Sequence, residues 1–197
     1  NDGMLMNGAK RVAGGKFDDA IEFDGGTAHI ETVTDVPEFD FTIALWIKTS
    51  TPASGILSVL DGAAGAGGHD RHFYLQADAI CFRVWQGAGW CTEAEVTDDE
   101  WHHIALVAET GGGQTAYVDG VEVGVFAYDH SDFDWQLRVW IGFSNDAPSN
   151  YFTGLIDDVA YLDVPLTAED VGELMAPLAV DARDKVAATW AGIKKNH

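Results

Sequence analysis

The chain has 197 residues, 47% of them hydrophobic, and 32 acidic residues against 11 basic ones give a net charge of −21. Such an acidic surface repels phosphate backbones, which argues against nucleic-acid partners, and it suits divalent cations and neutral or cationic ligands. No apolar run approaches the roughly 20 residues that span a bilayer, so we expect no membrane insertion.

The length fits one all-β domain with a sizeable core. We expect that domain to cover residues 1–176, with residues 177–197 as a helical tail. The abrupt start at the turn sequence Asn1-Asp2-Gly3 suggests a piece of a larger polypeptide, and the overall character suggests an extracellular or cell-surface setting.

Short hydrophobic segments recur along the chain, most of them separated by Gly, Asp, Asn or Pro, a pattern typical of strands and tight turns. The predicted strands are Ala20–Phe23, Ala28–Glu31, Phe41–Thr49, Gly55–Leu60, Phe73–Ala77, Ala79–Trp85, Cys91–Glu95, Trp101–Glu109, Gln114–Val118, Val121–Ala127, Leu137–Phe143 and Phe152–Leu162. Many strands with little helical periodicity predict an antiparallel sandwich of two sheets.

The segment from Asp98 to Gly120 carries the clearest strand signal. Its first strand reverses at three glycines, Gly111 to Gly113, and its second runs into Asp119-Gly120, which favours a type I′ hairpin. The segment therefore predicts a β-meander.

Two irregular segments interrupt the strands. Asp61–Arg71 is glycine-rich and has the composition of a binding or flexible loop, and Ser144–Asn150 is a polar turn cluster. Helix is predicted only late in the chain. Thr167 is a good N-cap for a short helix that Pro177 stops, and Asp181–Lys195 reads as a second amphipathic helix.

The chain has two cysteines, Cys81 and Cys91. Their spacing suits facing positions on two strands joined by the Gly87–Gly89 turn, which favours a cross-hairpin disulfide. The alternative is a pair of free, buried thiols that behave as small hydrophobes.

Four motifs, in this order, resemble the laminin G-like group of concanavalin A-like jelly rolls, with pentraxins as more distant relatives. They are AIEFDGGTAHIE (20–31), FTIALWIKTS (41–50), DDEWHHIALVAETGGGQTAYVDGVEVG (98–124) and YFTGLIDDVAYLDVPLTAEDV (151–171). The resemblance implies a two-sheet jelly-roll sandwich. It implies less about function, because this fold hosts lectins, adhesion modules and enzyme appendages.

The resemblance to pentraxins implies one calcium site, since Asp70 matches one ligand segment and Asn145 and Asp146 lie in the acidic ligand loop. Arg71 replaces the family's Asn and Ser144 replaces a Glu, so we expect one ion there or none. Carboxylate and amide oxygens on irregular loops are typical Ca²⁺ ligands.

The resemblance to laminin G-like jelly rolls implies a second candidate, in which Asp24 and Asp157 hold a structural Ca²⁺ together with a glycine carbonyl. The alternative is that Asp157 caps a loop or accepts a hydrogen bond from an N–H group.

Aromatic residues near the glycine-rich loop predict a sugar-stacking surface, because flat rings stack on the apolar faces of sugars. The predicted ligand-binding residues are Trp85, Trp90, His72, Tyr74, Arg83 and Tyr151. Trp90, beside turn glycines, is the best exposed candidate. All seven Trp could instead be core, as we expect for Trp46, Trp101 and Trp140.

Catalysis has little support in the sequence. Glu93 and Glu95 share one strand face, but the central carboxylate of a jelly-roll glycanase is missing. We therefore expect a non-catalytic extracellular recognition module that binds a glycan or glycoprotein and holds a structural calcium ion. The alternatives are a protein–protein adhesion module of a larger cell-surface protein and a glycan-degrading enzyme.

Overall fold

The computed structural model describes residues 3–62 and 68–177. The described strands are β1 (Met4–Met6), β2 (Lys10–Ala13), β3 (Asp19–Asp24), β4 (His29–Val33), β5 (Phe41–Lys48), β6 (Gly55–Leu60), β7 (His69–Gln76), β8 (Ala79–Arg83), β9 (Trp90–Glu95), β10 (Trp101–Glu109), β11 (Gly113–Val118), β12 (Val121–Phe126), β13 (Arg138–Ile141) and β14 (Thr153–Leu162). They are followed by the helix α1 (Ala168–Glu173). The predicted helix Asp181–Lys195 and almost all of the predicted tail lie outside the described residues.

The strands form two antiparallel seven-stranded sheets. The first sheet has the order β1-β4-β13-β6-β7-β8-β9, and the second has the order β12-β11-β10-β5-β14-β3-β2. Neighbours that are distant in sequence, such as β4 and β13, show that the chain crosses repeatedly between the sheets, as in jelly rolls. The predicted two-sheet sandwich is confirmed. Within residues 3–62 and 68–177, no helix has the length and apolar character needed to cross a membrane.

The core lies between the sheets and follows from the alternation of side chains along each strand. On β5, Phe41, Ile43, Leu45 and Ile47 are all fully buried and belong to the main apolar cluster, which also contains Phe73 of the first sheet. Two faces of different sheets thus bury one continuous apolar layer, and hydrophobic burial is the main source of folding free energy.

The predicted meander is present. Strand β10 pairs with β11 and β11 pairs with β12, both antiparallel. Asp119 and Gly120 have φ values of 51° and 76°. Two consecutive positive φ values are what a type I′ turn requires, so this prediction is confirmed.

The outer face of the second sheet is covered by the segment that contains α1. Thr167 caps the helix in a capping box with Asp170, as the sequence predicted for the N-cap. Val171 and Leu174 then pack on Val107 of β10 and its neighbours in a second apolar cluster. A short helix of this kind is stable because it buries apolar residues on the sheet.

Three strands differ most from the sequence prediction, and the ends of most others differ by one or two residues. The short strands β1 and β2 were missed, because each has only three or four residues at a sheet edge and is largely exposed, so neither shows clear alternation. Strand β7 begins at His69, not at Phe73. Its first three residues were predicted to belong to the glycine-rich loop Asp61–Arg71, but His69 and Asp70 pair with β6.

The polar start of β7 is explained by a buried ion pair between Asp70 and Arg71, whose side chains are both 0% exposed. Asp70 Oδ2 accepts a hydrogen bond from Arg71 Nη1 at 2.8 Å, and Arg71 Nη2 donates to the Pro37 carbonyl. Asp70 Oδ1 accepts from the backbone N–H groups of Arg71 and Trp85, each at 2.6 Å. Asp70 therefore organises the chain around it through protein donors.

The disulfide between Cys81 and Cys91 joins β8 to β9, where the two residues face each other in register. The prediction of a cross-hairpin bond is confirmed, and the alternative of two free thiols is wrong. Cys81 is buried under the outer surface of the first sheet, whereas Cys91 is exposed.

We predict that the double variant Cys81→Ala/Cys91→Ala lowers the free energy of unfolding by about 2 to 3 kcal/mol, since the closed loop is short. Urea denaturation measures this loss, and the wild type in a reducing agent should lose a similar amount. A double variant as stable as the oxidised wild type would contradict the prediction.

We also predict that Asp70→Ala lowers the free energy of unfolding by about 3 to 5 kcal/mol in buffer with EDTA, because it leaves the buried charge of Arg71 uncompensated. The exposed Asp134 provides the control, and Asp134→Ala should change stability by less than about 0.5 kcal/mol. Equal urea midpoints for Asp70→Ala and the wild type would refute this structural role for Asp70.

Candidate functional site

A β-bulge in β7 shapes the outer face of the first sheet. Leu57 of β6 pairs with Phe73, but Val59 pairs with Asp70, so β7 has one more residue than β6 between these two pairs. Arg71, inside the bulge, has a φ of 48°. In a regular strand, residues three apart point to opposite faces, and a bulge changes this direction. His69 and His72 consequently meet.

On this face, the side chains of His69, His72 and Asp146 lie in contact with one another. His69 Nδ1 lies 2.9 Å from His72 Nε2. Asp146 Oδ1 lies 3.7 Å from His72 Nε2 and 4.0 Å from His69 Nδ1. Each of the three side chains can offer one ligand atom, and these atoms are close enough to hold one metal ion. Among the residues that the structure describes, this is the group of three His, Cys, Asp or Glu side chains with that property.

His72 is the most constrained of the three, because its side chain is only 1% exposed. Its Nδ1 lies 3.2 Å from the hydroxyl of Ser58 and 2.9 Å from that of Ser144, which are both fully buried. Burial lowers the pKa of His72 to about 4, although the nearby Asp146 opposes that shift. The His72 imidazole is therefore neutral at physiological pH.

Arg83 connects this cluster to an aromatic surface. Its Nη1 donates to both carboxylate oxygens of Asp146, at 3.0 and 2.9 Å. The guanidinium carbon lies 4.0 Å from the centre of the Trp85 ring, in a cation–π contact. The charge of Asp146 is thus balanced, and the plane of Trp85 is fixed.

A cleft opens beside Trp85 at one end of the first sheet. It has a volume of about 380 Å³. Its lining consists of Asp61, Gly68, His69, Trp85, Phe133 and Trp135. The rings of Trp85 and Phe133 are nearly parallel, with centroids 6.3 Å apart, and Phe133 also contacts Trp135. The three rings are half-buried, so each presents part of its surface to the cleft.

Several of the residues predicted to bind ligand lie together on this face. Arg83 bonds Asp146, His72 is close to it, and Trp85 stacks on Arg83. Tyr74 lies on the same face and packs with Cys81 and Ala147. Tyr151 packs separately, with Phe143, Trp140 and His29.

Trp90 is half-buried against the core, whereas the sequence predicted that it is exposed on the turn. Trp90 lies in β9 and packs against the main core, where its ring is 5.3 Å from that of Phe82 and 5.7 Å from that of Phe126. Its indole N–H donates to Gln114 of the second sheet at 3.0 Å. Trp90 therefore points between the sheets, because its strand position and not the adjacent glycine turn determines its direction.

Trp46 and Trp140 are buried, as expected, whereas Trp101 is half-buried.

The residues predicted to bind calcium are not brought into one site. The fully buried Asp70 already accepts the protein donors described above. Asp24 pairs with Thr153 of β14, and the same antiparallel register pairs Ile21 with Ile156. Asp157 is four residues beyond Thr153, which places it about 13 Å along the strand from the position opposite Asp24. Asp157 accepts a hydrogen bond from the N–H of Phe17 at 3.1 Å, which is the alternative that the sequence left open.

Asn145 and Asp146 remain neighbours on the loop before β14. Asp146 is bound by Arg83, and the side-chain oxygen of Asn145 is buried without a hydrogen-bond partner among the described residues. Calcium binding stays a prediction of the sequence.

The sequence analysis missed His69, Phe133 and Trp135. The signal for Phe133 and Trp135 was present, since two aromatic residues alternate in the polar segment before β13. The signal for His69 could not be recognised, because a His pair spaced by three residues shares a face of a strand only when a bulge is present.

The chain resembles known proteins in both sequence and structure. Residues 24–172 match the family described as the concanavalin A-like lectin/glucanases superfamily. No curated protein matches the sequence significantly. A heptameric SAP-like pentraxin from Limulus polyphemus is similar in structure, with a TM-score of 0.64, 17% sequence identity, and coverage of 80% of this chain and 81% of the pentraxin.

Two further solved structures have the same fold. Domain 4 of AbnA, an extracellular arabinanase from Geobacillus stearothermophilus solved in complex with arabinotriose, has a TM-score of 0.62 and 16% identity, and 88% of each chain is covered. The binding domain of botulinum neurotoxin serotype D has a TM-score of 0.65 and 10% identity over 88% of this chain, which spans only 46% of the toxin domain. Because the family match covers most of the sequence, this chain belongs to the concanavalin A-like lectin/glucanases superfamily.

Proposed function

We propose that this domain is a non-catalytic module that binds a neutral glycan in the cleft lined by Trp85, Phe133 and Trp135. The observation that carries the proposal is three half-buried rings lining one cleft beside the polar groups of Asp61 and His69. Ring faces stack on the apolar faces of sugars, and a few polar groups at the margin then bond the hydroxyl groups. The cleft volume lies within the usual range for ligand pockets.

The charge of the protein favours a neutral ligand over an acidic one. The net charge of −21 creates a field that repels sulfated or uronic-acid glycans. The cation nearest the aromatic surface, Arg83, is already paired with Asp146, so it is not free to bind an acidic sugar.

The structural relatives support the same class of ligand. The arabinanase domain was solved with arabinotriose, and the neurotoxin structure is a binding domain. Their identities to this chain are low, so they support recognition of a glycan or receptor and leave the particular sugar open.

The positions of the two glutamates that the sequence offered for catalysis support a non-catalytic role. Glycoside hydrolysis usually needs two carboxyl groups that flank the scissile bond. Asp61 lines the cleft. Glu93 and Glu95 are exposed on β9, and Glu95 pairs with Ala79 at the opposite end of β8 from Trp85. These two residues therefore lie away from the proposed binding surface.

We also propose that the domain is located outside the cell or on the cell surface. The disulfide between Cys81 and Cys91 supports it, because such bonds persist in oxidising compartments. We further propose that the domain binds calcium, with Asn145 and Asp146 as the remaining candidate ligands. Glycan binding should therefore be measured with and without EDTA.

We predict that Trp135→Ala and Trp85→Ala each weaken glycan binding by about 1 to 3 kcal/mol, the usual range for a stacked ring at a binding hot spot. Isothermal titration calorimetry with a panel of neutral oligosaccharides, including arabino-oligosaccharides, measures the effect. The control is Trp101→Ala, which removes a half-buried Trp from the second sheet and should leave affinity unchanged.

Three results would overturn the proposal. Unchanged affinity in both cleft variants would place the binding surface elsewhere. Failure to bind any glycan, together with capture of a defined protein partner, would favour an adhesion module. Turnover of a glycan that Glu93→Gln abolishes would favour an enzyme.

A further inference from the structure

We propose that His69, His72 and Asp146 form a binding site for a divalent first-row transition metal ion, with Zn²⁺ as the expected occupant. This inference goes beyond glycan recognition and does not depend on it. The site lies on the outer face of the first sheet, where His69 also lines the cleft.

The distances between the three ligand atoms fit one small ion. Zn²⁺ binds imidazole nitrogen and carboxylate oxygen at about 2.0 to 2.2 Å, so two ligands of one tetrahedral ion lie about 3.4 Å apart. The three separations here are 2.9, 3.7 and 4.0 Å. They bracket that value, and none exceeds twice the bond length. Movements of a few tenths of an ångström would complete the triangle.

The donor types favour a transition metal over calcium. Two of the three ligands are imidazoles, which suit Zn²⁺, Cu²⁺ or Ni²⁺, whereas Ca²⁺ takes oxygen ligands almost exclusively. His69 and His72 already share one hydrogen between Nδ1 and Nε2. A bound ion would take the place of that hydrogen, and the donor ring would carry its proton on its other nitrogen, so that both remaining lone pairs face the ion.

The surroundings of the three side chains resemble the outer shell of a metal site. When His72 Nε2 binds the ion, its Nδ1–H can donate to the buried hydroxyl of Ser58 or Ser144. Arg83 can keep its bond to Asp146 Oδ2 while Oδ1 turns to the ion. Second-shell bonds of this kind fix the tautomer of a ligand histidine and the direction of a ligand carboxylate.

Three protein ligands leave a tetrahedral ion with an open position, as in catalytic zinc sites. His69 is 33% exposed on its side chain and lines the cleft, so an ion and a further ligand can enter from there. The bulge at Arg71 creates this arrangement, because it brings two histidines spaced by three residues onto one face.

The test is calorimetric titration of the EDTA-stripped, dialysed protein with ZnCl₂ and, separately, with CaCl₂. We expect one Zn²⁺ per chain, bound more tightly than Ca²⁺, because two of the three ligands are imidazoles. His69→Gln and Asp146→Asn, each close to the original in size, should weaken Zn²⁺ binding by at least about ten-fold, since even second-shell losses cost that much. Circular dichroism and the melting temperature of each variant show whether it is folded.

The matched control is His102→Gln, which should leave Zn²⁺ affinity unchanged. His102 lies on β10 of the second sheet between the carboxylates of Asp98 and Asp119, so this variant removes a histidine with carboxylate neighbours that lies outside the proposed site. If a ligand variant fails to fold, the visible spectrum of the wild type loaded with Co²⁺ decides instead, since it reports nitrogen and oxygen coordination directly.

The proposal is overturned by three results: no binding of Zn²⁺, stoichiometric binding that both ligand variants retain, or binding that only His102→Gln abolishes. None of these outcomes decides glycan binding, which is measured separately with the tryptophan variants, with and without EDTA. Failure of the metal site and failure of the glycan proposal are therefore distinguishable.

Discussion

The carboxylate of Asp70 ties together the three segments that build the site. One oxygen accepts the backbone N–H groups of Arg71, inside the bulge, and of Trp85, beside the cleft. The other accepts from the Arg71 guanidinium and, at 3.5 Å, from Gln136, which also donates to the carbonyl of Phe133. Because these bonds are buried, leaving any of them unmade would be costly, and the bulge, the Trp85 turn and the aromatic segment are held in a fixed relation.

The sandwich supplies the rigid support for this arrangement. Phe73 and Leu75 of β7 enter the apolar core, while His72 and Tyr74 of the same strand point to the outer face. The inward residues anchor the strand, so the outward residues cannot shift without disturbing close-packed neighbours. Recognition chemistry can therefore vary on the outer face while the same core is kept, as is usual for folds that host many functions.

The contacts on the outer face also explain why the possible metal ligands in the structure differ from the calcium ligands that the sequence predicted. The sequence placed Asp70 and Asp146 in one oxygen-rich site, but Asp70 is drawn into the interior by Arg71, and Asp146 is bound by Arg83. Two arginines thus occupy the places where a cation would neutralise these carboxylates. What is left beside Asp146 is a pair of imidazoles, and imidazoles select a different class of metal from that selected by carboxylates.

The sequence by itself determined the sandwich, the Asp119-Gly120 hairpin, the Thr167 cap and the disulfide, because each depends on local periodicity, turn chemistry or short spacing. It also identified five of the residues that gather on the outer face of the first sheet, namely His72, Tyr74, Arg83, Trp85 and Asp146. Only the tertiary structure decided that Trp90 is inside, that Asp24 and Asp157 are far apart, and that His69 joins His72. Those outcomes depend on strand register and on one inserted residue in β7, and a single-residue change in register reverses the face to which a side chain points.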